Sequence, residues 1–478
     1  MNFLTELPFL PELLIAVVAL LALIMGAFNI NRVASLSIIV AILVGLVVTI
    51  LNPVPTNHGI MLNGGDYVKW AKILICFSSL LILLMALNNK RQYEFNILIA
   101  LSTVGMMFLI SSNNLLIFFV SLELMSLPLY ILTAFDRQDS KSTEAGMKYF
   151  ILGSVASCLF LLGTSFVYGF TGSINFQEIY SYYVNLDSST ELVAIPIGYL
   201  TGLILVIIAL AFKISAVPFH MWAPDVYNGA PTIVTAFLAS APKVASLMAL
   251  ANLLFDPFAQ SYVQWQQILI FLSVASMFIG SLGAIMQTNF KRLLAYSSIG
   301  HVGFMLAGLA TAENEGLSGF LIYLVIYLTM VISMFGCLMI IHKNGKLIEN
   351  ISDVAGLAKA KPTVAMGLTI LLLSMAGIPP VAGFFAKFYL LIPLIKSEMY
   401  ITAILFIISS VTATYYYLKV IKIMYFDNTE AAEDEFSLSG NLITRVIIGL
   451  GVAFNVLFIL APSPLIKTAK IASIALIK

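Results

Sequence analysis

Apolar runs of membrane-spanning length, separated by short polar breaks, repeat along almost the whole chain. A transmembrane helix needs about 20 mainly apolar residues. Runs that meet this predict roughly fourteen helices, near 10–28, 33–51, 70–87, 95–111, 114–134, 145–170, 195–217, 232–254, 266–287, 293–311, 317–341, 363–394 (interrupted), 400–425 and 442–462. The predicted fold is an all-α polytopic membrane protein. The first apolar run has no basic residue before it and reads as a retained helix, not a cleaved signal.

Composition sharpens this. Hydrophobic residues make up 60% of the 478 positions and charged residues 10%, and mean hydropathy is +1.01. No soluble core absorbs that much apolar surface. Net charge is +1, without a basic block, so nothing marks a nucleic-acid binder. Cys76, Cys158 and Cys337 fall inside apolar runs and lack metal-ligand spacing. No phosphate loop, flavin fingerprint or haem ligand pair stands out, so the chain reads as redox-inert, without cofactor or metal.

Positive charge predicts orientation. Loops after odd-numbered spans carry Arg32, Lys90, Arg91, Arg137, Lys141, Lys291, Arg292, Lys343, Lys346, Lys359 and Lys361; loops after even-numbered spans carry Lys69 and Lys396. Odd loops are therefore expected in the cytoplasm and both termini outside, although Lys467, Lys470 and Lys478 dissent.

The informative residues are those a bilayer penalises. Lys148, Lys213, Lys243 and Lys387 fall within spans, and so does one acid, Glu123. Each costs about 2.5–3.5 kcal/mol at a helix centre. The five together amount to something on the order of 10 kcal/mol, comparable to the stability of a whole domain. The bland alternative is that they snorkel or form static pairs. The sharper reading is a proton relay. Desolvation disfavours the charged form of a lysine and a nearby carboxylate favours it, so a movable carboxylate makes a buried lysine hold or release its proton.

Two predicted helices contain breaks. The seventh carries Pro218, Pro224 and Pro231 in FKISAVPFHMWAPDVYNGAPT, and the twelfth carries Pro379 and Pro380 in MAGIPPVAGFFAKF. Broken helices at matching places in two halves point to an ion path between inverted repeats. The predicted division is 1–94, helices one to three; 95–255, a first five-helix repeat; 264–426, a second; and 427–478, the last helix. Glu123 precedes Lys213 by 90 positions and His301 precedes Lys387 by 86, which makes His301 a candidate second-half counterpart of Glu123. Its alternative is a packed histidine bonded to a backbone carbonyl. His220, Trp222 and Asp225 read as a cap and an interfacial anchor. Glu144, four residues before Lys148, reads as a neutralising partner. The acidic stretch Glu430–Glu435 reads as solvated, and His58 lies in an outside loop.

The stretch AFKISAVPFHMWAPDVYNGAPTIVTAFLASAPKVAS, with YSSIGHVGF and GIPPVAGFFAKF, resembles the antiporter-like membrane subunits of respiratory complex I. Its VPFHMWAPDVYNGAPT wording resembles the subunit N branch in particular. The resemblance implies a fourteen-helix fold with two inverted repeats. It also implies a proton path through Glu123, Lys148, Lys213, Lys243 and Lys387, driven by quinone reduction elsewhere in the complex. NADH, FMN, iron–sulfur clusters and quinone are then expected in partner subunits, homologous antiporter-like subunits among the neighbours, and the bacterial inner membrane as the location. A stand-alone or Mrp-type cation/proton antiporter and a non-conducting structural subunit are the rivals. A sodium site wants clustered carboxylates, and one glutamate against four lysines argues against it.

Overall fold

A computed structural model describes residues 9–51, 61–87, 93–187, 196–427 and 436–477. Glu6, His58, Lys90, Arg91, Glu430–Glu435 and Lys478 lie outside the described residues.

The first six predicted spans appear as α1 (Leu10–Ala27), α2 (Asn31–Leu51), α3 (Asp66–Ala86), α4 (Tyr93–Ser111), α5 (Leu115–Thr133) and α6 (Ser140–Thr171). A short helix that the hydropathy pattern did not announce, α7 (Phe176–Asp187), follows. The seventh and eighth predicted spans are four helices: α8 (Ile197–Lys213), α9 (Trp222–Gly229), α10 (Thr232–Leu238) and α11 (Ala241–Phe255). Then come α12 (Tyr262–Ile285), α13 (Phe290–Ala310) and α14 (Asn314–Ile340). The twelfth span divides into α16 (Pro362–Ala376) and α17 (Ala382–Lys396), after the single turn α15 (Leu357–Ala360). The chain continues through α18 (Tyr400–Phe426) and α19 (Leu442–Leu457) to a second unannounced helix, α20 (Ser463–Leu476). Strands β1 (Ile341–Lys343), β2 (Lys346–Leu347) and β3 (Phe436–Leu438) form a small antiparallel sheet in the order β2-β1-β3.

Among the described residues, twelve helical stretches are long and apolar enough to cross a membrane. The other two predicted spans are represented by the shorter apolar helices Ile197–Lys213 and Pro362–Ala376, because both are broken.

The breaks have local causes. Chain direction changes after Lys213 where Ser215 takes a left-handed φ of +59°. Pro224 sits in the first turn of α9, where no backbone donor is needed. The eighth span breaks as well, which the prolines of the seventh did not foretell: α10 ends at Leu238 and α11 begins at Ala241, with Pro242 in its first turn. In the twelfth, α16 closes on Gly377 at φ +82°.

Packing sorts the helices. The apolar window within Thr232–Phe255 is wholly buried, whereas only 28% of that of α6 is. Leu20, Val40, Val120, Phe150 and Ile404 are exposed on the outside, the surface that lipid would cover. Loops after the fifth, ninth, eleventh and thirteenth spans meet around one cleft of about 740 Å³ that includes Asp136, Lys141, Lys291, His342 and Asn441. Loops after odd-numbered spans therefore gather at one place.

Candidate functional site: a row of buried amines

On α5, Glu123, Ser126 and Tyr130 follow at i, i+3 and i+7 and share one face. Pro128 withdraws a backbone donor from the same turns. Lys213, the last residue of α8, reaches across to this face. Its Nζ donates to Ser126 Oγ (2.8 Å) and to Tyr130 Oη (3.0 Å) and lies 5.5 Å from the Tyr130 ring centre. Glu123 points elsewhere, its carboxylate accepting from Ser157 Oγ of α6. The carboxylate and the amine interact through space, without a direct ion pair.

Tyr130 is held from behind. It meets Tyr149 edge-on at 4.7 Å, and Tyr149 stacks on Trp222 at 4.5 Å. The Trp222 indole N–H donates to the Phe212 carbonyl at 2.9 Å, next to Lys213. Gly153 makes room: a Cβ there would fall 2.1 Å from Tyr130 Oη. Gly153→Ala is therefore expected to push the phenol off Lys213. A hydrogen bond to a charged group contributes about 1.5–3 kcal/mol, so a lower melting temperature of the purified protein is the readout. An unchanged melting curve would show that Tyr130 is free to adjust.

The second amine, Lys243, occupies the first turn of α11. Its Nζ donates to Ser215 Oγ (3.0 Å) and to Ser298 Oγ of α13, and lies 5.7 Å from the Tyr227 ring. Ser298 in turn bonds Tyr327 Oη at 3.0 Å. One helical turn on, His301 bonds two phenols, Tyr323 through Nδ1 (2.7 Å) and Tyr417 through Nε2 (3.2 Å). Among the described residues its hydrogen-bond partners are these two phenols and not a backbone carbonyl, and it lies within electrostatic reach of both Lys243 and Lys387.

The third amine, Lys387, uses the break in its own span. Its Nζ donates to the Ala376 carbonyl (2.7 Å), an end group of α16 left without a helical partner, and to Ser410 Oγ (2.9 Å). Phe304 lies beneath it at 4.9 Å from ring centre to Nζ. Gly377 is required twice here, by its φ and because a Cβ would approach Lys387 Cδ to 2.8 Å.

Lys213, Lys243 and Lys387 are 6%, 2% and 7% exposed. They neither snorkel nor pair with a carboxylate among the described residues; their partners are hydroxyls and one carbonyl. Lys148 is different. It is 44% exposed and bridges Glu144 (2.8 Å) and Asp225 (3.0 Å), and Asp225 also holds Arg292 (2.6 Å). This cluster ties α6, α9 and α13 together at the edge of the bundle, away from the buried row. Asp225 is thus an ion-pair hub. His220 lies outside the row too, against the Pro218 backbone.

Two charges escaped the sequence reading. Glu12 of α1 and Lys72 of α3 form an ion pair at 2.6 Å, with 0% and 3% side-chain exposure. Glu123 is therefore not the sole acid inside the bundle. Lys72 seemed to lie at a span end because the apolar run starts near residue 70, but α3 begins at Asp66. The hydroxyl partners were also missed. Their signal is polar hydroxyls within apolar runs, such as the paired serines of YSSIGH.

The NADH:quinone oxidoreductase/Mrp antiporter transmembrane family matches residues 112–413, the part containing the whole buried row. NADH-quinone oxidoreductase subunit N of Rhodospirillum rubrum is 43% identical over 481 aligned residues, which cover 98% of this chain and 97% of that one. The chain belongs to the NADH–quinone oxidoreductase subunit N family. The subunit N of Paramagnetospirillum magneticum is 41% identical, over 98% of this chain and 97% of its own. A chain of respiratory complex I from Thermus thermophilus with bound aureothin superposes with a TM-score of 0.80 at 27% identity, covering 96% of this chain and 98% of that one. A chain of the Mrp complex from Dietzia sp. reaches 0.84 at 19% identity, over 100% and 98%, a likeness of fold. Glu12 and Lys72 fall outside the residues that define the family match.

Proposed function

We propose that this chain is a proton-translocating membrane-arm subunit of an NADH–quinone oxidoreductase in the bacterial inner membrane, with both termini on the outer side. It works beside homologous antiporter-like subunits, and the redox groups (NADH, FMN, iron–sulfur clusters and quinone) belong to partner subunits. The observation that carries the reading is the row of buried amines held by neutral oxygens. An amine with a permanent carboxylate partner keeps its charge; one held by hydroxyls can give a proton up and take it back without breaking an ion pair.

Quinone reduction elsewhere in the complex changes the electrostatics at Glu123. When the carboxylate turns from Ser157 towards Lys213 it favours the ammonium; when it turns back, Lys213 passes its proton on towards Lys243, His301 and Lys387. One pKa unit corresponds to about 1.4 kcal/mol. A membrane potential opposes each charge by about 2.3 kcal/mol per 100 mV, so changes of a few units suffice per stroke. The path runs without Lys148, which Glu144 and Asp225 already hold.

The test is Lys213→Ala in the intact complex, in inverted membrane vesicles. NADH oxidation should persist in the assembled variant while acidification of the vesicle interior is lost. Full acidification per NADH would overturn the relay and favour a structural role; sodium-dependent transport would favour a cation antiporter.

A further inference from the structure

Among the described residues, no further amine or carboxylate bonds Lys243 or His301, yet the gap between them is bridged by oxygen. We propose that the adjacent serines Ser297 and Ser298 of α13 carry the proton from Lys243 to His301, an inference that rests on the relay reading above. Being neighbours on a helix, the two side chains point in different directions, about 100° apart. Ser298 Oγ accepts from Lys243 and bonds Tyr327. Ser297 Oγ bonds Tyr417 Oη, which meets His301 Nε2 at 3.2 Å. The pair therefore joins an amine on one side to an imidazole on the other.

What separates the two hydroxyls is also present. A cavity of about 10 Å³ is lined by Ser297, Ser298, Tyr327 and Met375 among others. A second, also about 10 Å³, is lined by Ser297, His301, Met375 and Tyr417. Each is about the size that one water needs, and each offers it more than one polar partner. Ser297 borders both, so it is the one hydroxyl able to serve the two chambers.

The transfer balances. Lys243 gives an N–H proton to Ser298 Oγ as that hydroxyl's own proton leaves to a water in the first cavity. The water passes a proton to Ser297 Oγ, Ser297 passes its own to Tyr417 Oη, and Tyr417 passes its own to His301 Nε2. Lys243 ends as a neutral amine and His301 as imidazolium; every oxygen ends with the protons it began with. The imidazole suits the step because, when neutral, one ring nitrogen donates and the other accepts, and here each nitrogen faces a phenol.

The experiment compares Ser297→Ala, Ser297→Val, Ser297→Thr, Ser298→Ala and Lys243→Ala in the assembled complex, reading acidification per NADH oxidised in inverted vesicles. Ser297 does not touch Lys243, so its substitution leaves that amine's contacts in place. Valine has threonine's shape without its hydroxyl, and fills the space in which a second water would otherwise replace the missing oxygen. Ser297→Val and Ser298→Ala should lower the ratio severalfold and Ser297→Thr should restore it. Full ratios in Ser297→Val and Ser298→Ala, with loss in Lys243→Ala, would overturn the serine bridge and leave the relay standing. Loss in Ser298→Ala with full ratio in Ser297→Val would likewise overturn it, assigning Ser298 to holding Lys243. Full ratio in Lys243→Ala would overturn the relay and the bridge together.

Discussion

Lys243→Ala should give a complex that assembles and oxidises NADH but moves protons at least tenfold more slowly, a barrier increase of about 1.4 kcal/mol or more. Lys243 is the one amine of the row that touches both halves of the site: Ser215 beyond the break after α8, and Ser298 of α13. It sits in the first turn of its helix, the end at which the backbone dipole opposes positive charge. Without it, a proton leaving Lys213 loses the amine that joins Ser215 to Ser298 on the way to His301. Assembly should survive because the partners left behind are already satisfied: Ser215 Oγ donates to the Ile214 carbonyl at 2.6 Å, and Ser298 bonds Tyr327. Quenching of a pH-sensitive dye, recorded alongside NADH oxidation, is the measurement. A normal ratio of quench to oxidation would remove Lys243 from the path.

Lys72→Met should have the largest effect on stability and little on pumping by the complexes that form. The substitution leaves the Glu12 carboxylate, which is fully buried, without its partner. Breaking a buried pair from one side costs about 3–5 kcal/mol, whereas replacing both partners by apolar side chains of similar volume is often neutral or stabilising. The amount of assembled complex and its melting temperature should therefore fall in Lys72→Met and recover in Glu12→Leu/Lys72→Met. Single and double variants that melt together with the unaltered complex would show that the pair contributes nothing.

These two lysines also show how far the sequence could be read. Lys243 stood out because an ammonium in the middle of an apolar run has a cost large enough to demand a reason. The same cost marks Glu123, Lys213 and Lys387. Lys72 escaped because it fell near the edge of its run, where a charge costs little; only the extra turn of α3 places it inside. Lys148 lies in a run too, but α6 turns it outward to Glu144 and Asp225, and nothing in the spacing of apolar residues fixes that rotation. The prolines of the seventh and twelfth spans announced two breaks. The break before Lys243 went unannounced because Ser240 and Ala241 look like ordinary helix residues, and Pro242 fits the first turn of a new helix as readily as it kinks an old one. His301 was legible as a polar residue facing inward. Its partners lie on α14 and α18, 22 and 116 residues further along, and no local pattern links it to Tyr323 and Tyr417.

By itself, then, the order of residues determined the helical class, the approximate helix positions and which ionisable groups must be hidden from lipid, since a bilayer leaves few choices for a long apolar run or for a charge inside one. Tertiary structure alone decided which hidden groups face one another. Rotation about each helix axis and the choice of neighbour come from packing between segments distant in the chain. That packing set Lys213 on Ser126 and Tyr130, closed the Glu12–Lys72 pair, and placed two serines between an amine and an imidazole.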